Sequence, residues 1–307
     1  MFFFLAPLGF AAAGYNAKTG WAALFFAVAG NSLISLSLVL SNSLPWGEIT
    51  WEFFYFAVTA SVFLWILSPF QGKGRFFRLP GIARFVAGSS VCALLVLGVL
   101  FHLLDNEAFY GYVKNQLEAI KSLYLSSGSD VVQKAMLESL TADFILETVK
   151  MTLTRGGALA LCVFIFFANR HISLTLARVF RRRNRAGGMR SFHAPFFLIW
   201  VFSSSLLLIL ASRAAGLGGG EILGWNILTL CCMLYFAQGL GIIQYFLTGP
   251  SVPPLRRLLL SGLVIILLLS FGINAIFLGL IILLGIAENW APFRRPKISG
   301  PPSTPGA

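Results

Sequence analysis

Charge is what this chain has least of. Only 11% of its 307 residues are charged, against roughly 25% in an ordinary soluble domain. Acids number 11 and bases 23, histidine occurs three times and cysteine four times. No HExxH, GxSxG, Walker or GxGxxG pattern is present. So few ionisable groups assemble no nucleophile–base pair, acid pair or metal cluster, and no catalytic residue, metal or cofactor is expected. Cys92, Cys162, Cys231 and Cys232 all fall inside apolar runs, where they read as small buried side chains rather than ligands or disulfide partners. Met1 runs straight into Phe2–Phe4 without a basic segment, so no signal peptide is read.

What remains is apolar. Hydrophobic residues make up 57% of the chain, more than one soluble core of this size can hide but not more than a bilayer can. A membrane barrel would need segments of about 10 residues alternating in polarity. Leu258–Ala287, without a single charge, excludes that pattern. The expected fold is all-α, a polytopic transmembrane bundle of about eight or nine helices. The candidate spans are the short Phe2–Gly14, then Trp21–Leu40, Phe53–Phe70, Ile82–Leu104, Met151–Phe167, Pro195–Ala211, Ile222–Leu247 and Leu258–Ala287.

The loops between these runs alternate in charge, which orients the chain. Ser41–Glu52 holds Glu48 and Glu52, and Gln71–Gly81 holds Lys73, Arg75 and Arg78. Asp105–Lys150 carries seven acids against four lysines, and Asn169–Ala194 carries seven arginines. On this topology ten of the 11 acids lie outside, and 17 of the 23 bases lie in the cytoplasm. The net charge of +12 therefore marks orientation. The segment Arg181–Arg185 reads as a lipid-headgroup contact beside a helix, not as a nucleic-acid site.

Four parts follow: N-terminal transmembrane helices at 1–104, extracytoplasmic amphipathic helices at 105–150, C-terminal transmembrane helices at 151–290, and a disordered cytoplasmic tail at 291–307. In the outer part Phe109, Val113, Leu117, Ile120 and Tyr124 recur at helical spacing. Asp130 and Gln133 suggest a capping box for a second helix. The pair reads as a hairpin on the membrane surface, or as a lid over an outward-facing site. Leu258–Ala287 as one helix would be about 45 Å long, against a hydrocarbon core of about 30 Å. Two short crossings hinged near Phe271–Asn274 are expected instead, returning Arg294, Arg295 and Lys297 to the cytoplasm.

Polar side chains inside a membrane are costly and so mark candidate sites. Carboxylates are absent from every span, which argues against a carrier built on a buried Asp or Glu. Asn31, Asn226, Gln238, Gln244 and Asn274 are left, each able to meet a ligand or simply to join helices. Arg84 and His193 read as snorkelling at cytoplasmic helix ends. His102 and Arg155 approach the outer face, where with Trp225 and Asn226 they form a candidate site for a small polar solute. Ala13 and Ala17 form a small-xxx-small pair, as do Ala211 and Ala215.

Phe4-Leu5-Ala6-Pro7-Leu8, with Gly14 and Lys18-Thr19-Gly20, resembles the start of the YybS-like family of bacterial multi-pass membrane proteins, a domain of unknown function. Tyr235–Leu240, with its Gln238-Gly239 pair, resembles that family's late helix. Leu284–Glu288 with Phe293-Arg294-Arg295 resembles its close, although Glu288 stands where the family usually has Asp, and Pro292 where it usually has no proline. The resemblance implies one more helix before Met1. The family's first half is in turn similar to S subunits of energy-coupling-factor vitamin importers, in which an Ala-xxx-Ala stripe docks a coupling subunit. It thus implies a partner-docking role for Ala13 and Ala17, and a transport-related protein of the bacterial inner (cytoplasmic) membrane. Three readings follow: a solute-binding subunit working with an energy-coupling partner, a non-catalytic structural or assembly factor, and, least supported, a membrane enzyme.

Overall fold

The computed structural model describes residues 5–14, 17–40, 46–67, 81–126, 139–181, 192–247, 253–270 and 273–294. All the elements among them are helical: α1 (Leu5–Gly14), α2 (Ala17–Leu40), α3 (Trp46–Leu67), α4 (Gly81–Leu104), α5 (Glu107–Ser126), α6 (Ala142–Thr152), a π turn (Leu153–Gly157), α7 (Ala158–Arg181), α8 (Leu198–Ala214), α9 (Gly218–Leu247), α10 (Pro254–Leu269) and α11 (Ile273–Ala287). Three helices among the described residues are long and apolar enough to cross a membrane: Gly81–Leu104, the continuous run Ala142–Ala177, and Gly218–Leu247. Shorter apolar helices include Leu198–Ala214 and Asn274–Ala287. Phe25, Phe26, Trp200, Leu207, Ile276 and Leu283 all point outward, each at least 60% exposed. An exterior that apolar belongs against hydrocarbon.

The chain divides into two compact units. Unit 1 holds residues 1–184 and 218–226. Its centre is α1, which packs on α2, α3 and α7. The 10 described residues of α1 cover about 15 Å and are core, with Leu5, Ala6, Leu8, Ala12 and Ala13 buried. Ser173 donates to the Ala6 carbonyl at 3.1 Å, and a Cβ on Gly9 would collide with that serine. Phe63 of α3 and Phe166 of α7 are fully buried with ring centroids 5.8 Å apart. α5 packs on α4 and α6. The Tyr110 hydroxyl hydrogen-bonds Asp143, which raises the tyrosine pKa above its ordinary value.

Unit 2 holds residues 185–217 and 227–307. α10 and α11 pack on each other; α10 ends at Leu269 and α11 begins at Ile273, so the expected Leu258–Ala287 run is two helices, and Phe271 and Gly272 of the expected hinge lie outside the described residues. A shallow apolar cavity of about 250 Å³ lies along α8, lined by Trp200, Val201, Ser204, Ser205, Leu208 and Ile227.

Several expectations change. The helix whose membrane-buried part is expected at about Met151–Phe167 starts before it, at Ala142, where Thr141 caps it by accepting the Phe144 N–H at 3.2 Å. The stripe on α5 is split: Leu117 is buried, whereas Ile120 and Tyr124 are exposed. Ala13 closes α1 and Ala17 opens α2, so the two do not form a stripe on one helix. Ala13 is also only 4% exposed. The capping pair Asp130 and Gln133, residues 182–185 of the arginine segment and residues 295–307 of the tail expected at 291–307 lie outside the described residues, whereas 291–294 are described and Arg294 is buried in an ion pair.

Candidate functional site

In unit 1 the helical run Ala142–Arg181 is broken by one wide turn. Ala158 N–H bonds the Leu153 carbonyl rather than that of Thr154. Arg155 and Gly156 leave helical geometry, Gly156 at φ 106°, a value few side-chain-bearing residues tolerate. The Gly156-Gly157 dipeptide supplies that freedom in the middle of an apolar run. Such bulges within α-helices are frequent at functional sites.

The wide turn strips the Thr154 carbonyl of its ordinary helical donor. Asn226, near the start of α9, replaces it: its Nδ2 donates to Thr154 O at 2.6 Å and to Ile222 O at 2.9 Å. Arg155 Nη2 lies 3.2 Å from Glu221 Oε1, the arginine side chain 38% exposed and the glutamate 16%. Trp225 sits four residues after Glu221, one turn along the same face of α9. Its indole N–H is buried and meets no acceptor among the described residues. One turn of α9 thus carries the anion that meets the cation of the bulge, the amide that meets its carbonyl, and a donor with no acceptor among the described residues.

Of the residues expected at a site, Arg155, Trp225 and Asn226 are gathered here. His102 lies in the last turn of α4, exposed. Its neighbour Phe101 receives the Lys150 ammonium 5.6 Å from the ring centroid, which ties the end of α4 to α6. The Asn31 side chain lies outside the described residues. Glu221 was missed, because it reads as an ordinary loop acid. The glycine pair at 156–157 was the available signal for the bulge.

Gln238 and Gln244 belong to unit 2. Gln238 is 2% exposed and bridges two elements. Its Oε1 accepts the Ala194 N–H at 2.7 Å, and its Nε2 donates to Gly285 O at 3.0 Å. Nearby, Asn289 donates to the Tyr235 hydroxyl at 3.4 Å. Glu288 and Arg294 form an ion pair in which both side chains are 3% exposed. Arg294 also donates to Phe192 O at 2.9 Å, and His193 Nε2 stands 4.0 Å from Glu288. His193 therefore flanks a buried ion pair instead of merely snorkelling. The sequence signal was the lone acid after 30 uncharged residues, with arginine six positions on.

Asn226→Leu is expected to cost about 1–3 kcal/mol, the penalty for leaving a buried backbone carbonyl without a donor. Melting of the detergent-solubilised protein checks this. An unchanged melting temperature would show that the bulge does not need the asparagine.

The model of the family described as "Predicted membrane protein (DUF2232)" matches residues 1–281, and the chain belongs to that family. No curated protein and no solved structure matches it.

Proposed function

We propose that this DUF2232 membrane protein is a non-enzymatic, small-solute-binding subunit of the bacterial cytoplasmic membrane, similar in role to S components of energy-coupling-factor importers. The Arg155–Glu221–Trp225 group carries the reading. A bulged helix presents a half-exposed guanidinium paired with Glu221, and one turn along from that glutamate Trp225 carries an indole N–H that meets no acceptor among the described residues, so a polar solute has an ion pair to exchange with and a donor to satisfy. The charge alternation of the loops supports a multi-pass topology of eight or nine crossings, with Asp105–Lys150 and this site outside. The YybS-like and S-subunit resemblances support an energy-coupling membrane partner.

The test is mass spectrometry of small molecules retained by the protein purified gently in nanodiscs. A polar compound should co-purify with the wild type and be depleted in Arg155→Gln. A wild type that retains nothing, but holds a stable protein partner in the absence of solute, sinks the reading.

That second result would favour a structural or assembly factor. One observation speaks for it: Asn226 and Gln238 both spend their amides on backbone groups, as residues that only join helices do.

A further inference from the structure

We infer that the solute held at Arg155 and Glu221 is a small zwitterion of the amino-acid class, carrying one carboxylate and one protonated amine. This rests on the solute-binding reading above and adds the ligand's charge pattern.

An arriving ligand must displace the resident Arg155–Glu221 pair. Glu221 is the more buried partner, at 16% side-chain exposure against 38% for Arg155. A simple anion that took Arg155 for itself would strand the Glu221 carboxylate without its cation. A carboxylate that is mostly out of water is destabilised by the loss of its cation, because water makes up only part of the lost attraction. A simple cation bound to Glu221 would turn Arg155 out to water, which its 38% exposure permits, but would leave its guanidinium fork unused and the site with an extra positive charge. A zwitterion strands neither. Its carboxylate takes the guanidinium, whose planar fork suits two-oxygen recognition, and its ammonium takes Glu221. The site remains neutral before and after binding.

Two further features fit. A carboxylate offers about four lone-pair positions, so it can accept from a further donor, and Trp225, one turn after Glu221 on the same helix, has an indole N–H with no acceptor among the described residues. Separation of the pair needs little backbone motion, since Arg155 ends a flexible stem and its contact with Glu221 is a single one of 3.2 Å. Asn226 meanwhile holds the bulge through the backbone, so the turn stays in place while the side chains exchange partners.

The experiment measures binding of the twenty common amino acids to the full chain in nanodiscs. Each is run beside its N-acetyl derivative, which lacks the ammonium, and its methyl ester, which lacks the carboxylate. At least one parent amino acid should bind, with both derivatives weaker by about tenfold or more. Arg155→Gln and Glu221→Gln should each weaken that binding to a similar degree, while Arg155→Lys and Glu221→Asp retain part of it. Melting temperatures of all four variants separate loss of binding from loss of fold. If an N-acetyl derivative binds as well as its parent and Glu221→Gln is harmless, the ligand is an anion: the zwitterion inference fails and solute binding stands. If no amino acid binds, the inference also fails. Retained compounds of another class would then leave the solute-binding reading intact, and their absence would remove it.

Discussion

Gly285→Ala is expected to destabilise unit 2 by about 3 kcal/mol or more, at the upper end of what overpacking costs. The cause is a backbone contact between α9 and α11. A Cβ on Gly285 would land on the Tyr235 carbonyl and within 3.1 Å of the Gly239 nitrogen. From the other side, a Cβ on Gly239 would strike the Ile281 carbonyl. A flexible side chain can swing away from one extra methyl, but a helix backbone cannot, so the two helices must part. Between apolar helices in lipid, close packing is itself the main attraction, because lipid chains are as apolar as the helix faces. Parting also stretches the Gln238 bond to the Gly285 carbonyl, so packing and hydrogen bonding fail together. Gly279, on the same helix, has no described atom within 4 Å of its missing Cβ. Gly279→Ala should therefore be neutral, or gain up to about 1 kcal/mol from helix propensity. Denaturation of both variants in mixed detergent decides it. Equal melting of Gly285→Ala and wild type would show that the helices can move apart freely.

That contact also shows where sequence reasoning reaches and where it stops. The helical class follows from scarce charge, since an uncharged stretch such as Leu258–Ala287 admits few other states. That Leu258–Ala287 makes two helices, α10 ending at Leu269 and α11 beginning at Ile273, follows from comparing helix length with bilayer thickness. Phe109, Val113 and Leu117 mark α5 by their spacing alone. These features depend on residues close in sequence. The pairing of Arg155 with Glu221 joins residues 66 positions apart, and nothing local to either announces it. The same holds for Ser173 with Ala6 and Gln238 with Ala194 and Gly285. Ala13 and Ala17 mislead for a related reason. Spacing by four means a shared face only if one helix covers both, and α1 ends at Gly14. The bulge at 153–157 is intermediate: Gly156-Gly157 is visible, but not which residue across the fold would use the freed carbonyl.

The pairing of Glu288 with Arg294 is local, six residues apart, and its burial is what the sequence conceals. Glu288→Leu is expected to cost about 3–5 kcal/mol, because it leaves the Arg294 guanidinium buried without its anion. Arg294 is held by Glu288 through two nitrogens, Nε to Oε1 at 2.7 Å and Nη2 to Oε2, and reaches on to the Phe192 carbonyl. It thereby ties the turn after α11 to the segment entering α8. His193, 59% exposed and 4.0 Å from Glu288, cannot replace that two-pronged contact. The paired variant Glu288→Leu, Arg294→Leu separates charge from shape. Removing both charges deletes the desolvation penalty along with the attraction, so the double variant should be more stable than Glu288→Leu alone. It should still fall below wild type by about 1–3 kcal/mol, because the Phe192 carbonyl loses its donor. If the double variant is the less stable of the two, the pair contributes through packing of its stems, and the electrostatic account fails. Unfolding free energies of the three proteins in one detergent make the comparison.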